Sequence, residues 1–155
     1  MFKKAMLALA ATTLIVPSQA QNYTPINLEK KSVAPDNDQI KCLAKNIYFE
    51  AGGESREGKI AVASVVVNRT KSKQFPKTAC AVIHQKNQFS WVKRNPSVKS
   101  SSLYEKCLTI ARDVYYNRLA DNTAGALFFH ATHVKPSWAS RKSRTTKIGG
   151  HVFYR

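Results

Sequence analysis

Glu50 stands apart from the other acidic side chains of this chain. In IYFEAGGE (47–54) it follows Ile-Tyr-Phe and precedes Ala-Gly-Gly, so apolar and aromatic groups flank it. A carboxyl against such surface is desolvated, its neutral form is favoured and its pKa rises. A general acid for glycosidic cleavage near neutral pH needs that property. Glu54 follows at helical spacing. On an unbroken helix the two side chains would lie about 6 Å apart, close to the ~5–5.5 Å between the carboxyls of retaining glycosidases. Gly52-Gly53, however, suit a helix C-cap between them, and Glu54 before Ser55 equally suits the N-terminus of a following helix. Glu50 and Glu54 therefore stand as catalytic candidates, with a helix-end role open to each.

Six of the seven remaining acids of residues 21–155 have plainer uses, Glu57 being the exception with none assigned. Asp36, Asp38 and Glu105 are capping candidates, Asp113 and Asp121 fall on a polar face or helix end, and Glu29 lies in a proline-containing arm. Four histidines, His84, His130, His133 and His151, raise zinc as a second chemistry. In a strand, residues three apart point to opposite faces. H-A-T-H is not H-E-x-x-H, and no acid lies nearby to orient ligands. No metal or other cofactor is expected. Aromatic groups beside polar ones recur in Phe89-Ser-Trp91, Phe128-Phe-His130, Pro136-Ser-Trp138 and His151-Val-Phe-Tyr154. Sugar rings stack their C–H faces on such side chains while amides and hydroxyls bond their hydroxyl groups. The sugar-contact candidates are Tyr48, Gln88, Ser90, Trp91, His130, Trp138 and His151. Trp91 and Trp138, in polar surroundings, suit a groove, whereas Phe128, Phe129, Val152 and Phe153 read as core.

The elements that must carry these residues fit one domain of 155 residues. Residues 1–20 read as a secretory signal. Lys3 and Lys4 form the positive region, AMLALAATTLIV the apolar one, and PSQA the small-residue site for cleavage after Ala20. An uncleaved anchor is the alternative. Export across an inner membrane, to a periplasm, envelope or extracellular space, permits disulfides. Cys42, Cys80 and Cys107 allow three pairings that each leave one thiol over. The net charge is +16, and without the signal, which holds two lysines and no acid, 16 − 2 = +14. Such a charge calls for an anionic partner. For an exported chain that means anionic wall polymer or a membrane surface rather than nucleic acid. A monomer is expected.

Residues 21–37 read as a linker or arm, and 38–155 as the folded domain. Ile40, Leu43, Ile47 and Ala51 recur at helical spacing. GKIAVASVVVNRT (58–70), apolar over much of its circumference, predicts a second helix at the centre of the core, although its valines suit a strand almost as well. Pro76 is placed to start a short helix through Cys80 and Ile83. Residues 92–101 read as an exposed basic loop. Ser102-Leu-Tyr-Glu105 is a capping box before a helix with Leu103, Cys107, Ile110 and Val114 on one face, which Asn122–Gly125 breaks. ALFFHATHV and HVFYR predict two strands joined by a polar, basic stretch. The expected class is α+β, mainly helical with a small antiparallel sheet near the C-terminus.

Four ordered blocks, CLAKNIYFEAGGESREGKIAVASVVVNRT, FPKTACAVIHQKNQFSW, ALFFHATHVKPSW and IGGHVFYR, together resemble the SleB/CwlJ-type cell-wall hydrolases over most of residues 40–155. The resemblance implies a lysozyme/lytic-transglycosylase-like fold and peptidoglycan as substrate. Cleavage would fall between N-acetylmuramic acid and N-acetylglucosamine, with a 1,6-anhydro-muramyl end as the transglycosylase product. It places the first glutamate of the family's E-A-x-G-E motif, the catalytic acid, on Glu50 and the second on Glu54. A transglycosylase needs no second carboxylate, because one group serves first as acid and then as base. Two positions depart from the family's usual pattern: Gly52 where Arg is common, and His133 where Tyr is common. The readings left in competition are a zinc amidase or peptidase on the same polymer and a non-catalytic basic wall-binding module.

Overall fold

The computed structural model describes residues 37–155, so the expected signal, arm and Asp36 cap lie outside the described residues. Helix α1 (Asn37–Ala51) turns Ile40, Leu43, Ala44, Ile47 and Ala51 inward. Helix α2 (Arg56–Lys71) follows after the Gly52-Gly53 turn. Its N-cap is Ser55, whose hydroxyl accepts from the Gly58 N–H at 3.3 Å. Every residue of α2 from Gly58 to Val67 is buried. The run of valines and alanines is thus helical because helices and the sheet pack around it, which outweighs its β propensity.

Short helices α3 (Ala79–Ile83) and α4 (Ser90–Arg94) precede the long α5 (Ser101–Tyr115), which packs Cys107, Ile110, Ala111 and Val114 against α1 and α2. A disulfide between Cys42 and Cys80, with Cα atoms 5.3 Å apart, ties α1 to α3. Cys107 is free and buried. Among the described residues no helix is long and apolar enough to cross a membrane.

Several local expectations shift. The short helix starts at Ala79 behind a Thr78 cap, not at Pro76, because Thr78 can accept from Ala81 N–H whereas proline brings no capping oxygen. Ser100, not Ser102, caps α5 by accepting from Leu103 N–H at 3.3 Å. Residues 92–94 belong to α4, and only 95–100 form the loop. Helix α5 ends at Tyr115, with Asn117 in the left-handed region at φ 55°, ahead of the expected break at Asn122–Gly125.

The sheet has three strands rather than two. Strands β1 (Phe128–Ala131), β2 (Arg144–Ile148) and β3 (His151–Tyr154) are antiparallel in the order β1-β3-β2. Strand β2, Arg-Thr-Thr-Lys-Ile, hides in the polar connection because an edge strand needs few apolar residues. The register sets Phe129 opposite Phe153 and Ala131 opposite His151. Phe153 and Val152 are core as expected, but Phe128 and Phe129 are half-buried.

Before β1, Asp121 organises a turn. Its carboxylate accepts from the Thr123 and Gly125 N–H groups at 2.8 Å each and from Asn68 Nδ2 at 3.0 Å. Burial opposes its charge, but these bonds and the one from the Thr123 hydroxyl prevail and lower its pKa. Asn68 of α2 also donates to Ala126 O at 3.2 Å, so the central helix fixes where the sheet begins.

Candidate active site

Glu50 occupies the last turn of α1 and is half-buried. Burial raises its pKa. The negative end of the helix dipole acts in the same direction, and that turn contains no basic residue to oppose it. One turn earlier, Asn46 is fully buried. Its Oδ1 accepts from Trp91 Nε1 at 3.2 Å, while its Nδ2 has no hydrogen-bond partner. The acid thus sits above a buried amide at the i, i−4 position of the same helix.

Glu54 is not on α1. Its N–H closes the turn onto Ala51 O at 3.0 Å, so the spacing of an unbroken helix does not apply. Its carboxylate reaches across the molecule to the β2–β3 turn, where Gly150 N–H donates to Oε1 at 3.3 Å and Oε2 at 3.2 Å. His151 Nδ1 lies 3.6 Å from Oε1, and Lys59 Nζ donates to the Glu54 carbonyl. Glycines make this approach possible. A Cβ on Gly149 would collide with Oε2, one on Gly150 would lie 2.7 Å from Oε1, and one on Gly58 would lie 2.8 Å from the Glu54 Cβ. Gly149 also has φ +53°, which favours glycine. The Glu54 carboxylate thus joins the sheet turn to the α1–α2 junction.

His151 is 8% exposed and packs edge-on against Phe129, with ring centroids 5.3 Å apart. Desolvation lowers its pKa; the nearby Glu54 partly offsets this, while His130 and His133 add to the lowering. Its buried Nδ1 has no hydrogen-bond partner.

The alternation of the sheet separates the other sugar-contact candidates. His151, Phe129 and Phe153 share the face that meets the helices. His130, Trp138 and Tyr154 cluster on the other face, where His130 stacks on Tyr154 at 5.3 Å and Trp138 meets both rings edge-on. The His130 ring nitrogens pair with Ala131 O at 2.9 Å and Tyr154 Oη at 3.0 Å, and His84 Nδ1 with Cys80 O at 2.8 Å.

Trp91 does not stand in polar surroundings. It is 5% exposed, lies 4.9 Å from the Phe49 ring, and binds Asn46, so it is largely core. It still borders a cavity of about 280 Å³ together with Tyr48, Phe49, Arg94 and Lys99. The Tyr48 hydroxyl accepts from the Lys99 and Ser100 N–H groups at 3.2 and 3.0 Å, and so holds the loop before α5. Ser90 opens α4 and is exposed. Gln88 and Trp138 meet at a second cavity of about 390 Å³, which Phe128 and Phe129 also line.

Sequence reasoning missed Arg69, which lines this second cavity. A basic residue in the last turn of a helix reads as an ordinary complement to the dipole, yet Arg69 is 5% exposed. The signal available was its place at the end of an otherwise apolar run. Asn46 was missed because a single amide within a helix carries no pattern. At Gly52, a Cβ would lie 2.5 Å from the Tyr48 carbonyl oxygen, so the glycine that replaces the family's common Arg fits the turn as built here.

Among the described residues, five α-helices and a small antiparallel sheet, with the half-buried Glu50 at a helix end, make up a lysozyme-like lytic transglycosylase fold. The family model described as cell wall hydrolase matches residues 53–154, and the chain belongs to that family. The match begins just past Glu50 and includes Glu54 and His151. Two solved structures are similar. The catalytic domain of the germination-specific lytic transglycosylase SleB from Bacillus anthracis has a TM-score of 0.64 at 27% identity, covering 77% of this chain and 95% of that one. The catalytic domain of the Bacillus cereus SleB protein has a TM-score of 0.63 at 26% identity, covering 76% and 90%. Among curated relatives, the spore cortex-lytic enzyme of Bacillus subtilis is 28% identical over 143 residues, 86% of this chain and 45% of its own length. That of Halalkalibacterium halodurans is 31% identical over 134 residues, 82% and 38%. The chain thus spans less than half the length of these relatives.

Proposed function

We propose that the chain cleaves peptidoglycan glycan strands between N-acetylmuramic acid and N-acetylglucosamine as a lytic transglycosylase, with Glu50 as its acid and base. The observation that carries this reading is the division between the two glutamates. Glu50 is half-buried with a raised pKa, while the carboxylate of Glu54 is engaged by the Gly150 N–H. A site with one available carboxyl suits chemistry that uses the same group twice.

In the first step protonated Glu50 gives its proton to the glycosidic oxygen, and the C1–O bond breaks to leave an oxocarbenium-like muramyl ring. In the second step the muramyl O6 attacks C1 while its proton passes to the Glu50 carboxylate. The product is a 1,6-anhydro ring, and the acid is regenerated without water. The likeness to the Bacillus anthracis catalytic domain, which is that of a lytic transglycosylase, supports the same assignment.

The assignment extends to the chain's surroundings. Peptidoglycan lies outside the cytoplasm, in keeping with the secretory signal read at residues 1–20, and the charge of +16 suits adhesion to anionic wall polymer. Wall binding that falls as salt rises is expected, and salt-insensitive binding would remove that part of the reading.

The test is mass spectrometry of the fragments released from purified peptidoglycan. Anhydro-muropeptides from the wild type and none from Glu50→Gln are expected. Products heavier by one water would make the enzyme a hydrolase, and cut peptides on intact glycan would make it an amidase or peptidase.

A further inference from the structure

The second cavity gathers positive charge without an acid to balance it. Arg69 donates from Nε to Leu127 O at 2.7 Å and from Nη1 to Gln88 Oε1 at 2.9 Å. Its Cζ lies 4.9 Å from the Phe75 ring centroid and 5.8 Å from those of both Phe89 and Phe128. Lys142, just before β2, brings its Nζ to 3.8 Å from the same Phe128 ring. Both cations line the cavity of about 390 Å³, with Gln88 and Trp138 beside them.

Among the described residues neither cation is ion-paired with a carboxylate. Ring faces and two acceptors offset part of the cost of burying the guanidinium. They do not offset the whole of that cost, because no carboxylate neutralises the charge. Burial lowers the Arg69 pKa to about 10, which leaves it charged at neutral pH. An anion entering the cavity would neutralise the buried guanidinium within reach of Lys142, and the planar guanidinium matches a carboxylate.

We propose that this cleft binds a carboxylate of the substrate strand, through Arg69 and Lys142, with Trp138 against the apolar surface beside that carboxylate. The proposal rests on the peptidoglycan reading above. Peptidoglycan offers carboxylates from two sources: the stem peptide, and the lactyl group of muramic acid where the peptide has been removed. The cleft makes the enzyme selective for the state of the strand as well as for its sugars.

The experiment is calorimetric titration of the full chain carrying Glu50→Gln, so that ligand persists, with three soluble glycan fragments. One bears stem peptides with free carboxylates, one bears the same stems fully amidated, and one is peptide-free with free lactyl carboxylates. The acid-stem fragment is expected to bind about 10-fold tighter than the amidated one. Adding Lys142→Ala should reduce that preference to about 2-fold, and Lys142→Glu should abolish it. Circular dichroism of each variant confirms the fold, and the half-exposed Lys142 avoids the risk of disturbing the buried Arg69.

Peptide-free glycan that binds as tightly as the acid stems, with the same loss in Lys142→Ala, would show that the cleft takes the lactyl carboxylate as well as that of the stem. Peptide-free glycan that binds as weakly as the amidated fragment would assign it to the stem. Equal binding of acid and amidated fragments, or a preference that survives both Lys142 variants, would overturn the proposal while leaving the glycan reading intact. Binding of a glycerol-phosphate polymer that Lys142→Glu abolishes, without discrimination among the muropeptides, would overturn it in favour of wall phosphate. No binding of any glycan would remove the peptidoglycan reading and the proposal with it.

Discussion

Replacing Glu54 tests whether the second glutamate of E-A-G-G-E holds the site in place or takes part in the chemistry. In Glu54→Ala the Gly150 N–H loses both of its acceptor oxygens, which lie 3.2 and 3.3 Å away. The side chain is 21% exposed, so water replaces the lost partner only in part. A hydrogen bond to a charged group contributes about 1.5–3 kcal/mol, and some volume is lost within the glycine cradle. Denaturant unfolding should therefore show a loss of about 2–3 kcal/mol. Glu54→Gln keeps the shape and one acceptor and should lose roughly 1 kcal/mol.

Activity should separate the two glutamates more sharply. Glu54→Gln disturbs the position of the sheet turn, so the loss should be about 10-fold and should fall mainly on KM. Its pH–rate profile should keep the limb that belongs to Glu50. Removing a general acid costs about 10²–10⁴-fold, so Glu50→Gln should lose at least that much in kcat and lose the limb as well. A Glu54→Gln protein of near wild-type stability with a kcat as low as that of Glu50→Gln would refute this division of roles.

Three further outcomes follow from the geometry. The raised pKa of Glu50 means that the folded state holds its proton more tightly than the unfolded chain, so its contribution to stability is fully present below the ordinary value of 4.5 and is lost as pH rises through the folded value. Glu50→Gln should consequently raise Tm at pH 7.5 and leave it unchanged at pH 4, as read by calorimetry. The Cys42–Cys80 bond closes a separation of 38 residues, which corresponds to roughly 4 kcal/mol of loop entropy. Reductant should therefore lower the unfolding free energy by about 2–4 kcal/mol, while the buried Cys107 stays unmodified by thiol reagents in the native protein. Asp121→Ala should cost about 2–3 kcal/mol and open the turn before β1, seen as faster amide exchange at Thr123 and Gly125.

The helices were legible because burial writes a period into the sequence. Ile40, Leu43, Ile47 and Ala51 on α1 and Cys107, Ile110 and Val114 on α5 fall to the core on that period alone. The Gly-Gly break and the Ser55 cap were equally local, since turn and cap chemistry lie within a few residues. Strand β2 escaped because an edge strand of Arg, Thr and Lys has no apolar alternation to read. Capping at Ser100 rather than Ser102, and at Thr78 rather than Pro76, turned on which hydroxyl the packed helix could use.

The sequence by itself determined that Glu50 is an acid among apolar neighbours, because that is read directly from the adjacent Tyr, Phe and Ala. It also determined the choice of Gly at 149 and 150 without disclosing its purpose. Only the tertiary structure decided what the Glu54 carboxylate touches, since its partner Gly150 is 96 residues away in the chain and the contact depends on where the sheet docks. The structure likewise buried Trp91 at the edge of a cavity, placed His130 and His151 on opposite faces of one sheet, and brought Arg69 and Lys142 to a single ring. Each of those facts joins elements distant in sequence, and side-chain chemistry acts over a few ångströms of space whatever the separation along the chain.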